Sequence, residues 1–505
     1  MSVGAINTNV NALYALNSLA NTANKANTLE QELSSGLAIN SPADNPAGYI
    51  AAQGFTTQIG GVQQATSNVN QAISLVQTAD GGVTQQINIL QQIANIANQA
   101  ANGTANAQQL QSLQQVVSQL QAQVSTIAQQ TNFNGVNLLD GSYQGAQFQV
   151  GPSIGQTLNL SIGTTLASQI GVNASSAATA ASGVYAIDGS GSGGVGDQTG
   201  HSYAITAAGA GAFLGTGSVG VSGSAGNAAF SVSSKNESAQ AIAAAINANT
   251  SKTNVSAVAD TSVAFTVTAG SVSFVLGNGT GAAQTNPVNI AATVSSVSPS
   301  GLQSLVSSIN QQSAVTGVSA TVNASNQLVL TQAQGDNISI TGFAGTGTLA
   351  AGGSATTTLG VGGTNVASAT VQGVVSLQSN QTFSTTAAGI SNIGLNATSA
   401  LSSLASVNVS TPAGANAALN VVNFALQQLE NTGSQLGAVQ QRLQATVSNL
   451  QTTNTNITAA RSVVQDANIP QVTTQLTQQE ILQQAGVSAL AQSSALQQSF
   501  LKLLQ

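Results

Sequence analysis

Leu419, Val422, Leu426, Leu429, Gly433, Leu436, Gln440, Leu443, Val447, Leu450, Asn454, Ile457, Arg461 and Val464 follow one another at alternating steps of three and four. Kept up over this length, the spacing predicts one continuous helix holding a single face against partner helices in a left-handed supercoil. At about 1.5 Å per residue the stripe would extend roughly 65–70 Å, too long for a compact globule, so its partners are sought elsewhere in the chain. Ile73, Val76, Asp80, Val83, Ile87, Leu90, Ala94, Ala97 and Ala101 keep the same rhythm. Leu110, Leu113, Val117, Leu120, Val124 and Ile127 repeat it beyond Asn102-Gly103, a strong turn signal. The apolar members of these three stripes are the expected core of a coiled-coil bundle built from both ends of the chain.

The extremities carry thinner patterns. Val3, Ile6, Val10 and Leu13 make a short stripe whose spacing, but not hydrophobicity, continues through Asn17, Ala20 and Asn24. Near the other end Leu482, Ala485, Ala489, Leu496, Phe500 and Leu503 share one helical face. Such faces are too thin to fold alone. Each adjoins a strong coiled-coil segment, so the pair is expected to order when packed among other copies of the chain. In Ser41-Pro42-Ala43-Asp44-Asn45-Pro46 the two prolines are expected to end the first helix and start the next. Asn132-Phe133-Asn134-Gly135 reads as a turn, and the alternating segments Gln147 to Val150 and Leu158 to Ile162 as a β-hairpin.

Between about 175 and 395 the composition shifts toward Gly, Ser, Ala, Thr and Val, and a repeat appears. Ile246-Asn247 precedes Val255-Ser256-Ala257 by the spacing that separates Ile309-Asn310 from Val318-Ser319-Ala320. Each copy ends in a β-rich run, Val263 to Val267 and Leu328 to Thr331. A short helix followed by strands, twice, predicts one or two small α+β or β-rich domains. A disordered linker stays open around 206–226 and 344–364. The expected organisation is terminal helices at 1–43 and 465–505, a bundle with a β-hairpin at 44–175 and 400–464, and a surface-exposed insert at 176–399. The fold class is mainly α-helical coiled coil from both termini with an inserted β-rich α+β region.

Composition narrows the function. Only 4 % of the 505 residues are charged, against roughly 25 % in ordinary globular proteins, and Gln, Asn, Ser and Thr take over the solvated faces. A net charge of −7 provides no basic patch, which excludes nucleic-acid binding. Cysteine is absent from the chain, removing disulfide and thiol chemistry. Asn7 and Asn9 stand where a secretory leader needs an apolar run, so no cleavable signal is expected. No stretch approaches the ~18 apolar residues of a membrane span, and no membrane insertion is expected.

Catalytic groups do not converge. The single histidine, His201, sits in a Gly/Ser-rich stretch with no second histidine or cysteine to share a zinc ion or form a nucleophile pair. Glu30 and Glu32, two apart on a helix, do not share a face. Gly-rich runs such as Gly189 to Gly196 lack the Lys-Ser/Thr ending of a phosphate loop and read as turns. No enzyme, metal or cofactor is expected. Asp80, Gln440, Asn454 and Arg461 lie on apolar stripes, where polar residues fix register, and Asp80 is a candidate partner for Arg442 or Arg461.

Specific segments resemble bacterial flagellin. Ser34-Ser35-Gly36-Leu37 followed by Ile39-Asn40-Ser41-Pro42-Ala43-Asp44-Asn45-Pro46-Ala47-Gly48 is similar to that family's N-terminal signature, and Gln77-Thr78-Ala79-Asp80-Gly81 and Thr131 to Gly135 resemble later parts of the same region. Leu436 to Leu443, Ala459-Ala460-Arg461-Ser462 and Ile481 to Gly486 look like its C-terminal blocks. The resemblance covers about 1–165 and 415–505, and the Ile-Asn repeats are similar to a motif of some flagellin outer domains. It implies an extracellular subunit that self-assembles in many copies into the helical flagellar filament for swimming motility. It also implies export unfolded through the type III apparatus with a chaperone, addition under a filament cap, and contact with hook-associated proteins. In the family the termini line the inner tube, the bundle surrounds it and the insert faces outward.

Two departures bear on function. Family members commonly carry an Arg before the Ile-Asn-Ser signature, where this chain has Ala38. They also carry charges in the segment equivalent to Leu90 to Gln99, which in animal-associated flagellins helps engage the innate flagellin receptor. Here that segment, with Gln92, Ala94, Asn95 and Ile96, has no charge, so weak receptor stimulation is expected. Two other readings remain open at this point: a hook–filament junction protein, which shares similar terminal blocks, and a surface adhesin working through the insert. Ser/Thr density in the insert is compatible with O-linked glycans.

Overall fold

The computed structural model describes residues 10–102, 105–175, 184–187, 193–196, 217–232, 238–280, 283–323, 325–351, 358–360, 369–371, 373–388 and 398–503. Among them run nine α-helices: α1 Val10–Ser35, α2 Pro46–Ala101, α3 Ala107–Gln130, α4 Ala239–Asn247, α5 Thr250–Thr253, α6 Gln303–Gln311, α7 Ser313–Thr316, α8 Pro412–Gln465 and α9 Ile469–Leu503. The described chain is thus helical toward both ends, with a β-rich α+β region between. It divides into two compact units: Met1–Gly81 with Tyr143–Ile162 and Ser434–Gln505, and Gly82–Ser142 with Gly163–Gly433. Both α2 and α8 contribute residues to each unit.

Helix boundaries follow local chemistry. α1 ends at Gly36, whose φ of +72° places it in the left-handed region while its N–H closes on the Glu32 carbonyl at 2.9 Å. Pro42 therefore does not end the first helix; glycine stops it earlier, because only glycine adopts that conformation without steric cost. Asn45 caps α2, its Oδ1 accepting from the Gly48 N–H at 2.9 Å, and Pro46 takes the first helical position, where a missing N–H costs nothing. The same device opens α8: the Thr411 hydroxyl accepts from the Gly414 N–H at 3.0 Å, followed by Pro412. Asn106 and Gln109 cap α3 reciprocally, each side chain accepting from the other's backbone N–H at 2.9 Å.

In the first unit α1 and α9 pack together. The linkers after α1 and before α9 pair, with the Ala38 N–H donating to the Gln465 carbonyl at 2.7 Å and the Ala467 N–H to the Gly36 carbonyl at 2.9 Å. The hairpin forms from Ala146–Gln149 and Thr157–Leu160, with Phe148 opposite Leu158. It rests on α2: the Asn68 amide donates to the Gln149 carbonyl at 3.1 Å, and a Cβ on Gly61 would lie 2.9 Å from Pro152.

In the second unit the turn at Asn134 and Gly135, φ +52° and +79°, joins the two-residue strands Asn132–Phe133 and Val136–Asn137. Leu138 and Leu139 beyond it are fully buried. One sheet of this unit runs in the order Val318–Val322, Leu328–Gln332, Ser256–Val267, Val374–Ser379, Gly171–Ser175, Ala400–Ser403. A second runs Ala283–Val294, Gly270–Thr280, Ile338–Gly345, Ala369–Val371. The two copies of the repeat are built alike. Asn247 at the end of α4 donates from Nδ2 to the Ala257 carbonyl at 2.8 Å and accepts at Oδ1 from the Ala257 N–H at 2.7 Å. Asn310 in α6 does the same with Ala320, at 2.9 and 2.7 Å. The β-rich runs that end the copies pair antiparallel, Val263 with Leu330 and Phe265 with Leu328.

Two linker readings change. Residues 217–223, inside the 206–226 stretch that left a disordered linker open, form a strand paired with 226–232 beyond it, and Gly193–Gly196, expected as a turn, is a strand paired with Val184–Ile187. His201 lies outside the described residues.

Candidate self-assembly surface

The buried seam of α2 is longer than the sequence stripe and half of it is displaced by one residue. Val62, Ala65, Val69, Ala72, Val76, Ala79, Val83, Gln86, Leu90, Ile93, Ala97 and Ala100 alternate steps of three and four, and all are buried. Val76, Val83, Leu90 and Ala97 belong to both sets. Ile73, Asp80, Ile87 and Ala94 are half-buried beside the seam. On α3, Val117 and Val124 are buried, while Leu113, Leu120 and Ile127 are half-buried. On α8, Val422, Leu429, Leu436, Leu443 and Leu450 are buried, and Leu419, Leu426, Val447, Ile457 and Val464 half-buried. Among the described residues no ion pair joins Asp80 to Arg442 or Arg461; the pairing offered by their stripe positions is not made within the chain.

Glutamines that the pattern does not single out tie distant segments of the second unit. Gln86 donates to the carbonyls of Val124 at 2.9 Å and Thr165 at 3.3 Å. Gln121 donates to those of Leu404 at 2.8 Å and Val407 at 3.0 Å, while the Gln114 Oε1 accepts from the Val409 N–H at 2.6 Å. Gln428 accepts from the Gly171 N–H at 3.0 Å and donates to the Asn380 carbonyl. In a chain this rich in glutamine, no sequence signal marks these four.

The terminal pair behaves differently. Although α1 and α9 pack together, Val10 is 53 % exposed, Leu13 55 % and Leu482 47 %. Ala485 and Ala489 are also exposed. Leu16, Ile481 and Val487, which lie off the strict stripes, extend the exposed apolar set along the same two helices. Leu482 and Ile481 line a shallow groove on α9 with Thr474, Thr477 and Gln478. The side chains of Leu496, Phe500 and Leu503, and residues Val3 and Ile6 entirely, lie outside the described residues. A monomer normally keeps such apolar side chains scattered; here they recur along paired helices, which makes these helices the candidate interaction surface.

The receptor-like segment lies on α2, with Gln92 and Asn95 exposed and Ala94 and Ile96 half-buried. Among titratable groups, the Asp44 carboxylate accepts from the N–H groups of Ser41 at 2.7 Å and Asn40 at 2.9 Å, which holds it below the usual carboxylate range. Glu32 is raised by partial burial and by the nearby Asp44 charge. Asp140 is lowered by the hydroxyl and N–H of Ser142 and the amide of Asn137. No described helix is long and apolar enough to cross a membrane.

Comparison with known proteins places these elements. Residues 6–144 match the bacterial flagellin N-terminal helical region, 419–504 the bacterial flagellin C-terminal helical region, and 273–334 the flagellin hook IN motif. That last match contains Asn310 but not Asn247, whose clamp is the same. The chain is similar to the B-type flagellin of Pseudomonas aeruginosa at 33 % identity, with 99 % of each chain covered, and to Flagellin A of Helicobacter pylori at 29 %, again with 99 % of each covered. Among solved structures, FliC from Burkholderia pseudomallei aligns with 73 % of this chain and 99 % of its own at 21 % identity and a TM-score of 0.29. The flagellar junction protein FlgL from Legionella pneumophila covers 83 % of this chain and 100 % of its own at 14 % identity and a TM-score of 0.33.

Proposed function

Because the chain belongs to the bacterial flagellin family and is therefore a structural subunit of the flagellar filament, we propose that the exposed apolar rows of α1 and α9 are the surface through which copies join. The observation that carries this reading is the contrast in burial between those rows and the seam of α2. Val10, Leu13, Leu482, Ala485 and Ala489, with Val3, Ile6, Leu496, Phe500 and Leu503, are the proposed inner-tube contacts. Segments 1–43 and 465–505 form that tube, 44–175 and 400–464 the layer around it, and 176–399 the outward face. In this reading the protein performs no catalysis. It leaves the cell unfolded through the flagellar export apparatus with a chaperone, and meets the cap and hook-associated proteins at the filament ends.

A junction role is the weaker reading, since two relatives matched over 99 % of this chain carry the name flagellin. Purified chain, seeded and salted out of solution, should grow filaments visible by electron microscopy; a protein that stays monomeric with seeds present contradicts the proposal. The uncharged surface of Gln92, Ala94, Asn95 and Ile96 lacks groups for ion pairing with a receptor, and a loss of two or three charge-assisted contacts lowers affinity on the order of 100-fold. Receptor-reporter cells should respond correspondingly weakly to the monomer, and a response equal to that of a charge-rich flagellin would contradict this.

A further inference from the structure

Resting on the filament reading, we infer that this protein is built to work in an acidic exterior: its subunit fold and its polymer remain intact at a pH where carboxylates are protonated. Acid normally dismantles assemblies by two routes, charging every copy positively and protonating carboxylates that hold segments together.

The first route is nearly closed. Six Lys and Arg with one His set the ceiling of positive side chains at seven, the same magnitude as the net charge of −7 at neutral pH. An ordinary chain of this length reaches on the order of 60 positive charges, and repulsion between copies grows with the product of their charges. Acidification therefore carries this chain through zero, near its isoelectric point of about 4.3, to a repulsion no greater than it had at neutrality.

The second route has little to act on in the long-range bonds that amides and hydroxyls make among the described residues, since these groups do not titrate in this range. Gln86, Gln114, Gln121 and Gln428 hold the second unit's segments, Asn247 and Asn310 clamp its repeats, and Asn68 seats the hairpin of the first unit. None of these side chains titrates. The carboxylates Asp44, Asp140, Asp336 and Asp466 accept instead from groups within four residues of themselves. Asp44 and Asp140, whose folded values are depressed, contribute stability present above the unfolded carboxylate range and lost as pH falls through the folded value. Asp44 faces the Glu32 carboxyl of α1, and Asp140 faces the hydroxyl, N–H and amide of Ser142 and Asn137. The Asp44–Glu32 repulsion disappears on protonation, which offsets part of the loss, and Asp140 secures only its own turn.

The test starts from filaments grown near pH 7 and moved to about pH 5, about pH 4 and about pH 3, with pelleting, electron microscopy and circular dichroism at each step. Filaments should persist, with soluble protein rising less than about twofold; lateral bundling near the isoelectric point, filaments intact, also supports the inference. Dissolution to monomers by about pH 4, or loss of the helical signal, overturns it. Failure to form filaments near pH 7 would count against the filament reading instead, and the acid response of the monomer's helical signal then decides the inference about the subunit.

Discussion

The seam of α2 and the apolar rows of α1 and α9 are made from the same kinds of side chain and meet opposite fates. Along α2 every seam position from Val62 to Ala100 is buried, five of them as alanine, whereas on the terminal helices Leu13 and Ile481 remain 55 % and 60 % exposed. Hydrophobicity alone therefore does not decide burial in this molecule. What decides it is whether the chain itself supplies the facing surface. The α2 seam is answered within one copy, and the terminal rows keep apolar area exposed that, in the assembly proposed above, further copies cover at roughly 25 cal/mol per Å².

The largest effect should separate these two regions. Leu482→Lys or Leu13→Lys places a charge in the proposed contact, and the critical concentration for polymerisation should rise on the order of 100-fold or more. Being exposed in the monomer, either change should move its stability by less than about 0.5 kcal/mol. Leu90→Ala should do the reverse: truncating a fully buried seam residue costs the fold roughly 2–5 kcal/mol, while the molecules that remain folded still polymerise. Thermal melts of the monomer beside pelleting assays would break the comparison if Leu482→Lys unfolded the subunit as Leu90→Ala does.

A smaller, pH-dependent effect probes how the chain answers its own buried faces. Gln121→Glu replaces a donor to the Leu404 and Val407 carbonyls by a carboxylate that can only accept. Burial and the facing carbonyl oxygens raise its folded pKa above the unfolded carboxyl value of about 4.3. Its stability contribution is thus fully present below that unfolded value and lost as pH rises through the folded one. The variant should be roughly 1–3 kcal/mol less stable than the parent near neutrality, and the deficit should shrink toward pH 3. Melting curves at both pH values check the sign; a deficit that grew in acid would refute the assignment.

How much of this was legible in the sequence depended on whether size or closeness set the pattern. Val76, Val83, Leu90 and Ala97 follow from spacing alone; Ile73 and Ile87 outweigh Ala72 and Gln86 in a pattern scored on hydrophobicity, but that does not account for Asp80 and Ala94 standing in the stripe beside the buried Ala79 and Ile93. At the end of α1 the expectation and the structure part in the same way: Pro42 is the stronger helix breaker, yet Gly36, at a φ of +72°, stops the helix first. On the terminal helices Val10, Leu13 and Leu482 of the thin stripes are exposed, and Leu16, Ile481 and Val487 lie off a strict stripe. The amide ties were not readable. Gln114 and Gln121 differ from their many neighbours only in what folding brings within reach.

The repeat supplies the smallest effect on assembly and the sharpest control for the comparison, because here the chain answers itself twice by the same means. Asn310→Ala removes both bonds to Ala320, leaving a buried N–H and carbonyl short of partners at a cost of about 1–3 kcal/mol. Amide exchange at Ala320 should accelerate, and Asn247→Ala should do the same at Ala257, since each Asn reaches ten residues ahead in the same geometry. Neither change touches α1 or α9, so the critical concentration should stay within about twofold of the parent. If either raised it as far as Leu482→Lys does, the joining of copies would depend on the repeat region, and the division between self-answered and copy-answered surfaces would fail.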